Sequence, residues 1–542
     1  MFGKLAANAR GKLPFAISAS VVQLCFLIIF AVFGEYDEFS AVRGASEPPD
    51  SKDNIQEYYP MYRDVHIMVF AGSGLLLCYM RHYGYSSIGL TFLNCALALQ
   101  WATITTGMFG FISIANERAE LAPGEDKPAY KFPVGVSSML GADFTAASVV
   151  VTFGILLGRV SPLQLLVVAL VECVFYSANE ALNIHVLQAQ DPGGSVQIHV
   201  FGTYFGLFVA LTLYKGWGTA DPPKYTPNPS YVSNMFAMIG TLLLWTLWPS
   251  FNAVALSDDL RSRAVVNTYY SLSSCVLTSF ALSKLLSHKH KFDMEHIQNS
   301  TLAGGVAAGS CCHMFLMPWA AILIGCCAAA VSVLGYLYIT PLLEKKLHIL
   351  DSSGVHNLHG LPGILSAIAS IIAAGIAGHS SADGFINYQN SLYSVFPARA
   401  PEAVSGNCSL TAVEVSLGIE CGDGRSAATQ AGYQVALLVC TMALALTGGS
   451  ISGLVCRWPA LQPPTYSEWY DDDMYWNVPD GSESQSSLER KYDTGMDQDV
   501  TIHPDVILLK TATLNEQPSS SNGADLDHAR APSIMTHHEF GF

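Results

Sequence analysis

Charge is scarce in this sequence: Asp, Glu, Lys and Arg together make up 13% of its 542 residues. A soluble globular domain carries about twice that share, so a water-soluble enzyme or binding module is excluded. No basic stretch is dense enough to follow a phosphate backbone, which sets nucleic acid aside as a partner. The 13 cysteines form no C-x-x-C pair. Most, such as Cys25, Cys78, Cys311 and Cys327, lie in or beside apolar runs, where they read as packing residues. No E-x-x-H pair occurs either, so the ligand set of a membrane di-iron enzyme is missing. Neither a cofactor nor a metal is expected.

What the chain does have is apolar length. Hydrophobic residues make up 51% of it, in runs of about 20 residues that each match a hydrocarbon core of roughly 30 Å. Helices satisfy their own backbone groups away from water, so the fold class is an all-α polytopic membrane protein. Twelve transmembrane segments are expected, at 14–34, 65–82, 86–112, 134–158, 162–187, 195–214, 231–255, 262–286, 297–312, 316–341, 355–377 and 430–456. The first is too long for a signal peptide and lacks a clear small-residue cleavage site. The ninth is short and rich in Gly and Ala, which suits close helix packing.

Lys and Arg are denser on the connections that lie inside when residues 1–13 are cytoplasmic, which orients the 14–456 channel domain. An even number of spans then returns the C-terminus to the same side. The long connections 35–63 and 378–429 become extracellular loops. The second carries the sequon Asn407-Cys-Ser409, a glycosylation candidate. Cys408 and Cys421 share that loop, where an oxidising exterior permits a disulfide. Residues 457–542 hold 15 Asp or Glu against 5 Lys or Arg and read as an acidic, disordered cytoplasmic tail. Such a tail is either inert or a docking segment for a trafficking partner.

Two stretches stand out. Asp191-Pro-Gly-Gly-Ser-Val-Gln-Ile-His199 and Asp351-Ser-Ser-Gly-Val-His-Asn-Leu-His359 both read D-x-x-G-x-x-x-x-H. They open the sixth and eleventh spans, an odd number apart, so the two helices cross in opposite directions. That pattern marks an inverted repeat, spans 2–6 against spans 7–11. Each histidine lies about 12 Å along the helix from its aspartate, which brings His199 and His359 to similar depth near the midplane. Asp191 and Asp351 read first as helix caps, with Pro192 at a first helical position. A secondary electrostatic role towards a cation stays open.

Other ionisable residues in apolar spans are Asp143, Glu172, Glu180 and His313, functional candidates by their setting. Glu180 reads equally as a cation-attracting vestibule acid and as a hydrogen-bond partner. Two buried imidazoles are held neutral by desolvation and are too few to hold zinc. They can share one hydrogen bond and leave a ring nitrogen for a small polar molecule. The residues alone therefore describe a narrow, mostly apolar path for a small, weakly basic permeant.

From residue 14 to about 480 the chain resembles the ammonium transporter/Rh glycoprotein superfamily, and most of all its Rh glycoprotein branch. The resemblance rests on Tyr59-Pro-Met-Tyr-Arg-Asp-Val-His-Ile-Met-Val-Phe70, Gly141-Ala-Asp-Phe144, Gly194 to Gly206, and Leu244-Trp-Thr-Leu-Trp-Pro-Ser-Phe-Asn252. It continues in His296-Ile-Gln-Asn-Ser-Thr-Leu-Ala-Gly-Gly-Val306 and Asn357-Leu-His-Gly-Leu-Pro-Gly363. It implies an ammonium-transporter-like fold and a plasma-membrane homotrimer with one pore per subunit. It also implies passage of ammonia, with methylamine or carbon dioxide as further permeants. His199 and His359 fall on the family's twin pore histidines. Phe144 and Phe251 fall on its outer phenylalanine gate, Asp191 and Asp351 on its structural aspartates, and Glu180 on an outer-vestibule acid.

Two departures matter. No Trp occurs between Ser161 and Gly216, so the tryptophan of the microbial outer cation site has no counterpart. Asn234 stands where some Rh glycoproteins have an inner-mouth acid. The alternative class is a non-transporting Rh-like scaffold whose tail binds a cytoskeletal partner. Such scaffolds depart from the twin-histidine pattern, which this chain keeps.

Overall fold

The computed structural model describes residues 2–37, 40, 54–120, 127–213, 224–287, 289–380, 382, 384–403, 408–416 and 418–479. Its compact unit runs to Asn477 and is built of helices. In chain order these are α1 (Phe2–Phe33), α2 (Asn54–Ile67), α3 (Gly84–Glu120), α4 (Val136–Leu156), α5 (Pro162–Leu182), α6 (Phe201–Leu213) and α7 (Tyr231–Ala253). They continue with α8 (Asp258–Leu286), α9 (Met294–Asn299), α10 (Ala303–Ala308), α11 (Pro318–Leu334), α12 (Leu361–Ile376) and α13 (Ala427–Cys456). A short strand β1 (Gly34–Tyr36) pairs in parallel with β2 (Phe132–Val134), Gly34 opposite Phe132 and Tyr36 opposite Val134. This ties the end of α1 to the start of α4.

Local chemistry starts these helices. Ser161 Oγ accepts the Gln164 N–H, the Gln164 side chain accepts the Ser161 N–H at 2.8 Å, and Pro162 follows at the first helical position. Ser230 and Ser233 make the same reciprocal pair at the head of α7. Among the described residues, nine helices are long and apolar enough to cross a membrane. The other three expected segments are helical but differently built. Helix α2 runs into a π-helical turn at Met68–Gly72 and a 3₁₀ turn at Leu77–Tyr79. Helix α8 buries a polar face that includes Asn267, Thr268, Ser271 and Ser279. The ninth segment is two six-residue helices, α9 and α10. At Gly304 a Cβ would lie 2.7 Å from Ser271 O and from Cys275 Cβ, so only glycine lets α10 approach α8 this closely.

Two stretches repeat each other, with His199 and His359 160 residues apart. A π-helical turn at Asn183–Leu187 ends in a left-handed Gln188, and one at Leu343–Leu347 ends in a left-handed His348. At the same spacing come Asp191 and Asp351, left-handed Gly194 (φ +62°) and Gly354 (φ +64°), and then the histidine-bearing turns. Pro192 departs from expectation: the helical turn begins at Ser195, and Pro192 lies in the tight turn before it. Asp191 caps from four residues upstream, because the left-handed glycine reverses the chain in between.

The expectation of a disordered tail from 457 is corrected for its first twenty residues. Asp472 accepts the N–H groups of Tyr85 (2.9 Å) and Ser86 (2.8 Å) and so caps α3. Trp476 donates to Ser86 Oγ at 2.8 Å and lies on Gly89, where a Cβ would come within 2.3 Å of its ring. Tyr470 OH accepts from Arg159 Nε at 2.8 Å, and Asp471 pairs with Lys224 at 2.9 Å. Average composition over 457–542 hid four aromatics, Trp469, Tyr470, Tyr475 and Trp476, that supply the apolar area for docking. The remaining tail, 480–542, lies outside the described residues.

Candidate functional site

The site starts from its two caps. Asp191 Oδ2 accepts the N–H groups of Val196 (3.1 Å) and Gln197 (2.8 Å), and its Oδ1 accepts from Ser310 Oγ at 2.5 Å. Asp351 accepts the N–H groups of Val355 (3.0 Å) and His356 (2.8 Å). Each cap satisfies donors that a helix start leaves free and fixes the turn that carries a histidine, Ser195–Val200 or His356–Gly360. The glycines are needed for the reversal. At Gly194 a Cβ would meet Ile198 Cδ1 at 2.2 Å, and at Gly354 it would meet the Tyr336 ring at 2.2 Å.

The two turns bring their imidazoles together. His199 Nδ1 and His359 Nδ1 are 3.0 Å apart, with ring centroids at 4.9 Å and planes 20° from parallel. One N–H donates to the other's lone pair, so the rings hold opposite tautomers. His199 is 3% exposed, and among the described residues its Nε2 has no hydrogen-bond partner. Trp248 and Phe251 flank its ring at 5.7 and 5.9 Å. Phe144 meets Phe251 edge to face, with centroids at 5.0 Å. Phe144, Phe251, His199 and His359 thus form one continuous file of rings.

A cavity of about 60 Å³ runs beside this file, enough for small molecules of water's size. Its walls are Val69, Leu76, Leu77, Val150 and Leu244, with Ser73, Asn299 and Ser353 among its few polar neighbours. Trp248 lines it too, and its Nε1 is likewise unpartnered among the described residues. The few polar atoms of an apolar cavity can orient a small polar molecule, but cannot replace the hydration shell of an ion.

A larger chamber, about 630 Å³, is lined by Glu180, Asp37, Lys131, Thr106, Ser138 and Gly141. Gly141 precedes Phe144 by one turn of α4. Glu180 lines this chamber and accepts from Thr106 Oγ1 at 3.2 Å. The other ionisable candidates sit apart. Glu172 is fully buried and accepts from Ser148 and Thr152, both at 2.9 Å, fastening α4 to α5. His313 is fully buried, and its backbone carbonyl accepts from Arg263 at 3.1 Å. Asp143 pairs with His66 Nδ1 at 2.9 Å. Sequence reasoning missed that partner, although His66 lies in the Tyr59–Phe70 stretch. Cys408 and Cys421 are joined as a disulfide, and Asn407 lies outside the described residues. Among the described residues no group of His, Cys, Asp and Glu could hold a metal ion.

A bundle of apolar helices around a narrow cavity with two facing imidazoles has the form of a membrane channel or transporter. Comparison with known proteins narrows that class. The sequence model of the Ammonium Transporter Family matches residues 25–476, and the chain belongs to that family. It is 39% identical over 484 residues to ammonium transporter Rh type B of Oryzias latipes, covering 88% of this chain and 95% of the relative. It is also 39% identical over 481 residues to human ammonium transporter Rh type C, covering 88% and 91%. Among solved structures, Rh50 of Nitrosomonas europaea superposes with a TM-score of 0.58 at 26% identity, over 85% of this chain and 99% of that one. Mep2 of Saccharomyces cerevisiae superposes with a TM-score of 0.55 at 18% identity, over 82% and 98%, and so shares the fold.

Proposed function

We propose that this chain is an Rh-type channel through which ammonia crosses the plasma membrane in its neutral form. The observation that carries this reading is the His199–His359 contact at 3.0 Å beside an apolar cavity. Ammonium meets Glu180 in the outer chamber, gives its proton to water there, and enters past the Phe144–Phe251 gate as ammonia. It crosses past His199 and His359 as ammonia. Asp191 and Asp351 hold the two rings in place. With an ammonium pKa of about nine, deprotonation at pH 7 costs about 3 kcal/mol. Carrying the intact ion into a dry pore has an idealised cost of order 20 kcal/mol, still several after relaxation. The neutral route is cheaper.

The chain is a homotrimer with one pore per subunit and both termini cytoplasmic. It has twelve spans, with the stretches around His199 and His359 as two arms of the inverted repeat. The 160-residue repetition of turn, cap and left-handed glycine supports that symmetry. Asn407 in the extracellular loop is glycosylated, and residues 480–542 offer a cytoplasmic docking tail for a trafficking or cytoskeletal partner. Methylamine and carbon dioxide are small enough, and neutral enough, to share the path.

The test is the internal pH rise when proteoliposomes meet an ammonia gradient. Wild type should exceed empty liposomes by at least tenfold, and His199→Ala/His359→Ala should fall back towards them. Wild-type flux no faster than the lipid alone would instead favour the scaffold reading.

A further inference from the structure

Away from the pore, the last two turns of α8 and the segment after them form an open groove of about 420 Å³. Its walls are Phe280, Ala281, Leu285 and Phe292, with Lys284 between them. The chain folds back to build it. Ser283 Oγ accepts the N–H of Asp293 at 3.0 Å, and left-handed His290 makes the reversal. Phe292 then lies edge-on to Phe280 with centroids at 5.3 Å, and Lys284 Nζ sits 5.6 Å from the Phe292 centroid. Leu285 is 70% exposed and Phe292 55%.

The rim is basic. Lys284, Lys289 and Lys291 are all exposed, and among the described residues none of them is in an ion pair. The nearest acid in sequence, Asp293, has a side-chain oxygen engaged in capping α9, where it accepts the Glu295 N–H at 2.9 Å. An apolar trough beneath three unpaired ammonium groups, at the end of a membrane helix, complements an acyl chain below a negatively charged headgroup. On the orientation proposed above, this end of α8 faces the cytoplasmic leaflet, where anionic lipids are concentrated.

We propose that this groove is a binding site for an anionic glycerophospholipid. One acyl chain lies between Phe280, Leu285 and Phe292, and the phosphate and its headgroup lie among Lys284, Lys289 and Lys291. Each lysine near an anionic surface strengthens association by roughly fivefold. Lys284 adds a cation–π contact that keeps its ammonium group at the mouth of the trough.

The test is lipid retention by the full-length, detergent-solubilised protein in native mass spectrometry, with dioleoylphosphatidylserine and dioleoylphosphatidylcholine as probes. Wild type should prefer phosphatidylserine by at least tenfold. Lys284→Gln/Lys289→Gln/Lys291→Gln should cut that preference at least fivefold while leaving ammonia flux unchanged, which also shows that the variant folds. Ala281→Trp fills the trough without touching charge and should remove one retained phosphatidylserine per chain. Equal retention of both lipids by wild type, or an unaltered preference in the triple glutamine variant, overturns the proposal. So does a change of oligomeric state in Ala281→Trp with lipid retention intact, since a second copy of the chain would then be what covers the groove. Ammonia flux is read separately, so failure of this site leaves the channel reading standing.

Discussion

The arm from Asp191 to His199 and the arm from Asp351 to His359 share a backbone but not a neighbourhood. Both use a left-handed glycine, a π-helical turn and an aspartate that accepts two N–H groups. Around the first arm, Ser310 adds a third hydrogen bond to Asp191, and Trp248 and Phe251 enclose His199. Around the second, a further imidazole, His356, sets its Nε2 3.3 Å from Tyr204 OH. Repetition places two rings at one spot. The unrepeated neighbours set aromatic rings against His199 on one side and a tyrosine beside a further imidazole on the other.

The largest expected effect lies in the caps. Asp191→Ala strands two N–H groups and a hydroxyl, a loss of about 3 kcal/mol, whereas Asp351→Ala strands two N–H groups, about 2 kcal/mol. Thermal unfolding in detergent should therefore give Asp191→Ala the lower Tm, and the reverse order would break the asymmetry. The gate comes next. Phe251 touches both Phe144 and His199, and an aromatic pair is worth about 1 kcal/mol beyond its area. Phe251→Ala should alter ammonia flux about fivefold, and Phe144→Ala by less.

Charge effects at the two mouths should be smaller. Glu180→Gln should lower flux two- to threefold at low ionic strength, and the deficit should vanish in high salt, where the vestibule field is screened. At the other mouth Asn234 carries no charge and is held by Gln298 at 2.9 Å through its backbone carbonyl. Glu295 precedes Gln298 by a turn of α9 and feels Asp293, Asp351 and Glu344. Desolvation first, and then those carboxylates, push the Glu295 carboxyl up to about 7. Its charge grows as internal pH rises, so its pull on ammonium should strengthen on the alkaline side. Outward flux measured against internal pH should steepen through about pH 7 in wild type and lose that step in Glu295→Gln.

Much of this was legible in the residues, for reasons that differ between regions. Apolar run length revealed a helical membrane protein, because the bilayer tolerates few alternatives. The paired histidines could be read because a repeated motif carries its own internal control. The Phe144–Phe251 contact could not be found from spacing alone, since both look like any packed aromatic until a resemblance singles them out. Pro192 misled because a left-handed glycine between cap and helix leaves no compositional trace beyond Gly itself. The Asp143–His66 pair spans 77 residues and follows no local period. The docked start of the tail was masked by the acidic sequence that follows it.

The central claim is that a neutral molecule passes the His199–His359 pair. It is tested most directly by recording charge movement on supported membranes of purified protein during an ammonium jump, alongside the pH change in the same preparation. Rapid alkalinisation inside the liposomes with no current above that of protein-free membranes is the expected result. A sustained current that scales with ammonium and disappears in His199→Ala/His359→Ala would contradict it, since the ion itself or an accompanying proton would then be crossing.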